Sequence, residues 1–92
     1  MAASKLFLLR YEYVANILQQ RVPFRAQHLE HALSAKKRGL LVIGGALADP
    51  PDAAVIVFNA EQQQVDKFAR DDPYVRNGLV TSYSIREWTV VV

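Results

Sequence analysis

Several residue types and patterns that would point to particular chemistries are missing from this chain of 92 residues. There is no cysteine, so neither a disulfide framework nor a thiolate metal site can form. Histidine occurs only as His28 and His31, both in one predicted helix, which argues against a zinc site. The glycine patterns of nucleotide-binding loops are also missing. We therefore expect no bound metal and no cofactor.

Charge and hydrophobicity are similarly unremarkable. The 11 basic and 9 acidic residues give a net charge of +2, and the only basic run is 36–38, so no nucleic-acid partner is indicated. No apolar run reaches the roughly 18 residues of a membrane span, and positions 1–10 lack the layout of a signal peptide. We expect one cytoplasmic domain over 1–92 that contacts neither nucleic acid nor membrane, with a core small enough to favour oligomerisation.

Apolar periodicity predicts four strands and two main helices. Helix boundaries are marked by Gly39, suited to a left-handed helix end, and by Pro73, which cannot continue a helix. The predicted elements are a strand at 5–13, a helix at 23–38, strands at 40–47 and 53–58, a helix at 60–70 and a strand at 80–92. The order βαββαβ is typical of a ferredoxin-like α+β fold, a four-stranded antiparallel sheet with two helices on one face.

The first strand is apolar on both faces. Phe7, Leu9 and Tyr11 alternate with Leu6 and Leu8. Two helices can cover only one face of a sheet, and an apolar face left bare favours association. We therefore predict a homodimer whose sheets pack face to face.

Finer features follow from local patterns. We expect Asn59 to cap the second helix, a bulge near Arg86 in the last strand, and Pro23 to open the first helix. His31 should be solvated, whereas His28 should flank the buried stripe. That stripe is predicted to consist of Ala26, Leu29, Ala32 and Leu33.

A carboxylate occupies a core position at the end of the second helix. Val65, Phe68 and Ala69 form an apolar stripe, and the next position on it is Asp72. A buried carboxylate needs a partner, and this topology brings the start of the first helix, with His28, to the same end of the sheet. The alternative, which the residues leave open, is that Asp72 only caps a short turn beginning at Pro73.

Two motifs carry a family resemblance. The segment Arg25-Ala26-Gln27-His28-Leu29 resembles the Arg-x-x-His-Leu signature of the YciI-like (YCII-related) family. The segment 68–74, which reads FARDDPY, resembles the family's Phe/Trp-Ala-x-x-Asp-Pro-Tyr/Phe signature. The glycine-containing strand at 39–45 is also similar, although Gly45 is followed by alanine where many members have proline.

The resemblance implies a dimeric α+β barrel with an active site built on His28 and Asp72. In this interpretation His28 acts as general base and Asp72 orients it. The predicted substrate-binding residues are Arg25, Tyr11, Tyr13, Gly45 and Tyr74. Each also has a purely structural interpretation, as a solvated helix residue, a core or rim aromatic, or a strand glycine.

Three functions remain open from the sequence. The first is an enzyme that catalyses proton abstraction, elimination or isomerisation on a small, aromatic-type molecule. The second is a module that binds a small-molecule ligand without chemistry. The third is a dimeric assembly domain in which Asp72 is only a cap.

Overall fold

The computed structural model describes residues 4–92; residues 1–3 of the predicted domain lie outside this part. The chain forms β1, α1, a 3₁₀ turn, α2, β2, β3, α3, α4 and β4 in that order. Their bounds are Ser4–Tyr13, Ile17–Gln20, Val22–Phe24, Arg25–Lys37, Leu41–Ala46, Ala53–Phe58, Gln62–Asp71, Pro73–Arg76 and Val80–Val90, respectively.

The four strands form one antiparallel sheet in the order β2-β3-β1-β4. β1 lies in the interior of the sheet, where Leu9 is opposite Ile56 of β3 and Ile85 of β4. The predicted α+β class and the βαββαβ order of the main elements are confirmed. The short helices α1 and α4 are additions to this order, and α4 is the short turn beginning at Pro73 that the capping alternative described.

The main core lies between the sheet and helices α2 and α3. The predicted stripe of α3 is buried there: Val65 and Ala69 are fully inaccessible, and Phe68 packs edge to face on Phe58. Burying a side chain the size of valine or phenylalanine contributes about 1.5–3 kcal/mol to folding. This stripe therefore anchors α3, and with it the position of Asp72.

The predicted core stripe of α2 is wrong at its leucines, although Ala32 packs against the main core as expected. Leu29 and Leu33 remain 42% and 56% exposed, whereas Ala35 is buried. His31, expected in solvent, is half-buried: its ring stacks on Phe68 and its Nε2 donates to the Phe68 carbonyl oxygen at 2.9 Å. His28 and His31 therefore both face inward from α2, because each ring has an aromatic face to stack on and a hydrogen-bond acceptor.

Two predicted helix starts are also corrected. Asn59 does not cap α3; Glu61 does, in a reciprocal capping box with Gln64. Pro23 lies in the 3₁₀ turn, so that α2 begins at Arg25.

Of the other local expectations, the end of α2 is confirmed and the bulge in β4 is wrong. The left-handed end of α2 at Gly39, with φ of +77°, is as predicted. The bulge expected near Arg86 is absent from the described pairing of β1 with β4, where the register shifts instead between Glu12 and Tyr13. The end of β1 is consequently the irregular part of this pairing.

The sheet face opposite the core is apolar along its centre. Leu6 is paired with Trp88, and Leu8 lies between Val57 and Arg86. Trp88 is 46% exposed. No helix among residues 4–92 has the length and hydropathy needed to cross a bilayer.

Candidate functional site

Asp72 is the junction between α3 and α4. It ends the first helix, because Pro73 cannot extend it, and it is the N-cap of the second. Its Oδ1 accepts a hydrogen bond from the backbone N–H of Tyr74 at 2.9 Å. The capping role that the sequence left open is therefore present. It does not exhaust the carboxylate, which is 0% exposed and has further partners.

Two side chains complete the surroundings of this carboxylate. The hydroxyl of Tyr11 donates to Oδ2 at 2.8 Å. The Nδ1 atom of His28 lies 2.9 Å from Oδ1 and 3.1 Å from Oδ2. Three donors from β1, α2 and α4 thus converge on Asp72, which offsets the cost of removing a charge from water.

Tyr11 differs from its predicted role as a ligand contact. It is fully buried behind Asp72 and is not part of the cavity wall described below. Burial, reinforced by the negative charge of Asp72 and the hydrogen bond to it, raises the pKa of the Tyr11 hydroxyl. The hydroxyl consequently stays protonated and acts as a fixed donor to the carboxylate.

The imidazole of His28 is held in one orientation. Its ring stacks on Tyr74 with centroids 3.7 Å apart and planes inclined by 5°. Because an ionised carboxylate can only accept hydrogen bonds, the neutral ring carries its proton on Nδ1. Nε2, which makes no hydrogen bond to the described residues, is then the basic nitrogen. The His28 side chain is 12% exposed, so it reaches the surface of the site.

A cavity of about 300 Å³ lies against this histidine, between α2 and the edge of the sheet at β2 and β3. This is at the small end of the range for small-molecule sites. Five of the seven predicted site residues line it: Arg25, His28, Tyr13, Gly45 and Tyr74. Tyr11 and Asp72 stand behind this wall.

The cavity wall includes residues that sequence reasoning missed. Arg21 and Lys36 bring positive charge to it, and Leu29 and Leu33 supply apolar surface. The two leucines were assigned to the core because their spacing on α2 fits a buried stripe equally well. Arg21 lies before the start of α2, in a connection without periodicity, so the sequence carried no signal for its place in the wall.

Strand β2 forms its wall with little side-chain bulk. A Cβ atom on Gly44 would lie 3.1 Å from Cγ2 of Ile56, tighter than ordinary van der Waals contact, whereas one on Gly45 would meet nothing within 4 Å. Gly44 lies opposite Ile56, whose side chain faces the core and the cavity, so the missing side chain of Gly44 keeps this part of the wall free of bulk. The register of β2 also shifts between Leu41 and Ile43.

Two of the residues that line the largely apolar cavity are tyrosines. Burial raises the pKa of the Tyr13 hydroxyl to about 12, which keeps it protonated at neutral pH. The hydroxyl of Tyr74 is buried and has no hydrogen-bond partner among residues 4–92. Within the same residues, no three His, Asp or Glu side chains converge as metal ligands.

Comparison with known proteins gives a family and several structural neighbours. The family model for the YCII-related domain matches residues 6–89. No curated protein matches the chain by sequence.

Three solved structures share the fold. One is 5-chloro-2-hydroxyhydroquinone dehydrochlorinase from Burkholderia phenoliruptrix AC1100, in complex with 2,5-dihydroxybenzoquinone. Its TM-score is 0.77 at 22% identity, covering 91% of this chain and 93% of that one. A NIPSNAP family protein from Agrobacterium tumefaciens has a TM-score of 0.58 at 12% identity, covering 91% and 90% of the two chains. Another Agrobacterium tumefaciens protein has a TM-score of 0.56 at 11% identity, covering 92% and 91%.

The family match spans both motifs that meet at the buried carboxylate, the segment beginning at Arg25 and the segment ending at Tyr74. The chain belongs to the YCII-related domain family.

Proposed function

We propose that the protein is a small-molecule enzyme in which His28 and Asp72 form an acid–base pair. The observation that carries this proposal is that Nδ1 of His28 contacts the fully buried carboxylate of Asp72, while the same histidine lines the cavity. Such a carboxylate fixes the tautomer and stabilises the imidazolium that forms when the ring accepts a proton.

The proposed reaction begins with transfer of a proton from the ligand to Nε2 of His28. Asp72 holds the Nδ1 proton throughout, and the stacked ring of Tyr74 keeps Nε2 in place. The electron pair left on the ligand then either expels a leaving group, giving elimination, or shifts the double bond. In the second case His28 returns the proton to a different ligand atom, giving isomerisation. Arg25, in the same wall, is positioned in this proposal to stabilise negative charge that develops on a ligand oxygen.

The substrate class is proposed from the cavity and from one neighbour. Tyr13 offers aromatic surface, the exposed Leu29 and Leu33 offer aliphatic surface, and the volume suits a molecule of about one ring. The neighbour of known structure from B. phenoliruptrix is a dehydrochlorinase of a hydroxyhydroquinone. We therefore propose hydroquinones and related monocyclic compounds as the first substrates to screen. We also propose that the protein works in the cytoplasm.

The test compares two histidines of the same helix. His28→Ala should lower turnover of a hydroquinone substrate by about 10²–10⁴-fold, the usual contribution of a general base. His31→Ala is the matched control, because His31 is also ring-stacked and hydrogen-bonded but does not line this cavity. Equal activity in the two folded variants would contradict the proposal.

A second candidate function is binding without catalysis. It is favoured by the structural bonds that Asp72 makes to Tyr11 and to the backbone of Tyr74, which give the carboxylate a role even without chemistry. In that case ligand affinity should survive His28→Ala, and no substrate of the screened class should turn over.

We also propose that two copies associate through the exposed sheet face. Leu6, Leu8 and Trp88 lie there on adjacent strands, and α2 and α3 pack on the other face. Leu8→Glu should shift the sedimentation coefficient from that of a dimer to that of a monomer. Gln63→Glu, at an exposed position of α3, is the control and should leave the sedimentation coefficient unchanged. A monomeric wild type would refute this part of the proposal.

A further inference from the structure

The charges around the cavity are of one sign. Arg21, Arg25 and Lys36 line it, and none of the described lining residues is acidic. The carboxylate at this end, Asp72, is fully buried and already accepts three hydrogen bonds. A ligand entering here therefore meets positive charge in a small, partly apolar space, where an opposite charge is attracted more strongly than in bulk water.

The two arginines are available to a ligand. Neither guanidinium forms an ion pair with a carboxylate among residues 4–92, whereas Arg10 and Arg70 pair with Glu12 and Asp66. The backbone of Arg21 is fixed where α1 meets the 3₁₀ turn: its N–H donates to the Ile17 carbonyl, and its carbonyl accepts from Phe24. This places Arg21 beside the start of α2.

Distance along α2 decides which cation can act together with His28. Arg25 is three residues from His28, one helical turn and the same face. Lys36 is eight residues beyond His28, about 12 Å along the axis, and its Nζ donates to the Val42 carbonyl at 2.9 Å. A single aromatic ring that reacts at His28 can thus place a substituent near the arginines but not near Lys36.

The electrostatic influence of both arginines already reaches the wall. Their positive charges act to lower the pKa of the Tyr13 hydroxyl, against the larger effect of burial, which raises it. Tyr13 lines the cavity and also contacts the ring of Tyr74 edge to face. Arg21 and Arg25 therefore act on the space next to His28.

We propose that the ligand of this site is a monocyclic aromatic acid whose carboxylate is bound by Arg21 and Arg25 while the ring faces His28. Guanidinium groups suit this role because their planar donor pairs match the two oxygens of a carboxylate. The inference rests on the proposed function, which it makes more specific: the substrate is anionic, and Arg21 is a specificity-determining residue.

A matched pair of ligands isolates the carboxylate. Hydroquinone and 2,5-dihydroxybenzoate share the ring and both hydroxyls and differ only in the carboxylate. We expect 2,5-dihydroxybenzoate to bind the wild type at least about 10-fold more tightly, in line with one charge-assisted pair. Affinity is measured by calorimetry, and the site is identified from chemical-shift changes at His28 and Tyr74.

Variants that each remove one positive charge then locate the contact. Arg21→Gln and Arg25→Gln should each remove most of the preference for 2,5-dihydroxybenzoate over hydroquinone. Arg76→Gln, on the exposed surface of α4 and outside the cavity wall, is the control and should preserve the preference. Benzenephosphonate, an aromatic ligand that carries a phosphonate group and no carboxylate, tests whether any oxyanion suffices. Tighter binding of benzenephosphonate than of 2,5-dihydroxybenzoate would overturn the carboxylate assignment.

The outcomes separate this inference from the proposed function. Binding of both ligands at His28 with equal affinity would overturn the anionic assignment and leave the acid–base proposal intact. A preference lost only in Lys36→Gln, or lost equally in Arg76→Gln, would also overturn it. Absence of shifts at His28 with either ligand at millimolar concentration would contradict both.

Discussion

The buried carboxylate gives a sharp test through the tyrosine beneath it. Tyr11→Phe removes one hydroxyl from a fully buried side chain and leaves Asp72 with one donor fewer. A hydrogen bond to a buried charged group contributes about 1.5–3 kcal/mol, so we expect a loss of that size in the free energy of unfolding. In a domain of this length, this corresponds to a fall in melting temperature of about 8–16 °C, measured by circular dichroism.

The matched control is the neighbouring residue across the sheet. Tyr83 is paired with Tyr11 and also donates its hydroxyl to a carboxylate, that of Asp66 at 3.0 Å. Asp66 is only partly buried and is also bound by Arg70, so water and the guanidinium can compensate. Tyr83→Phe should cost about 0.5–1 kcal/mol. If Tyr11→Phe costs no more than this in urea denaturation, the carboxylate is not the desolvated centre inferred from the structure.

Two further predictions concern the same cluster. Asp72→Ala leaves three donors without an acceptor and should lower the free energy of unfolding by about 3–5 kcal/mol. Asp72→Asn still caps α4, so its free energy of unfolding should fall distinctly less. Equal losses of the two variants in urea denaturation would show that the cap alone matters. Stability should also fall at alkaline pH, because the folded state keeps Tyr11 and Tyr13 protonated above the ordinary tyrosine pKa of 10.0, while the unfolded chain loses these protons. The contribution of Tyr11 to the free energy of unfolding is complete below that pH and decreases above it by about 1.4 kcal/mol per pH unit. Tyr11→Phe should flatten this decline. A wild type whose free energy of unfolding does not change with pH in this range would contradict the prediction.

The fold followed from the sequence because its signals are local and repeated. The alternation in β1, the stripe of α3 and the stops at Gly39 and Pro73 each depend on neighbours along the chain. The same local logic failed in α2, where the spacing of Leu29 and Leu33 is that of a buried stripe. Their exposure to a cavity depends on how α2 is rotated, and that rotation is set by rings stacking across elements.

The candidate site was also predictable only in part. The meeting of His28 and Asp72 was predictable because an antiparallel pair of helices brings the start of one and the end of the other together. The hydroxyl of Tyr11 reaching beneath the carboxylate was not, because it depends on the register of β1 against its neighbours. Arg21 was missed because it lies in a connection without periodicity, where sequence gives no face.

The most direct test of the acid–base proposal is the tautomer of His28, read from proton–nitrogen correlation spectra of the imidazole ring at a pH where the ring is neutral. We expect a proton fixed on Nδ1 in the wild type. Asp72→Asn keeps an amide oxygen at the position that accepts from Tyr74 and lies 2.9 Å from Nδ1, so the informative variant is Asp72→Ala, which removes the acceptor. In Asp72→Ala both tautomers of the neutral ring should be populated. A wild type with its proton on Nε2, or a folded Asp72→Ala that keeps the proton on Nδ1 alone, would contradict the pairing on which the proposed function rests.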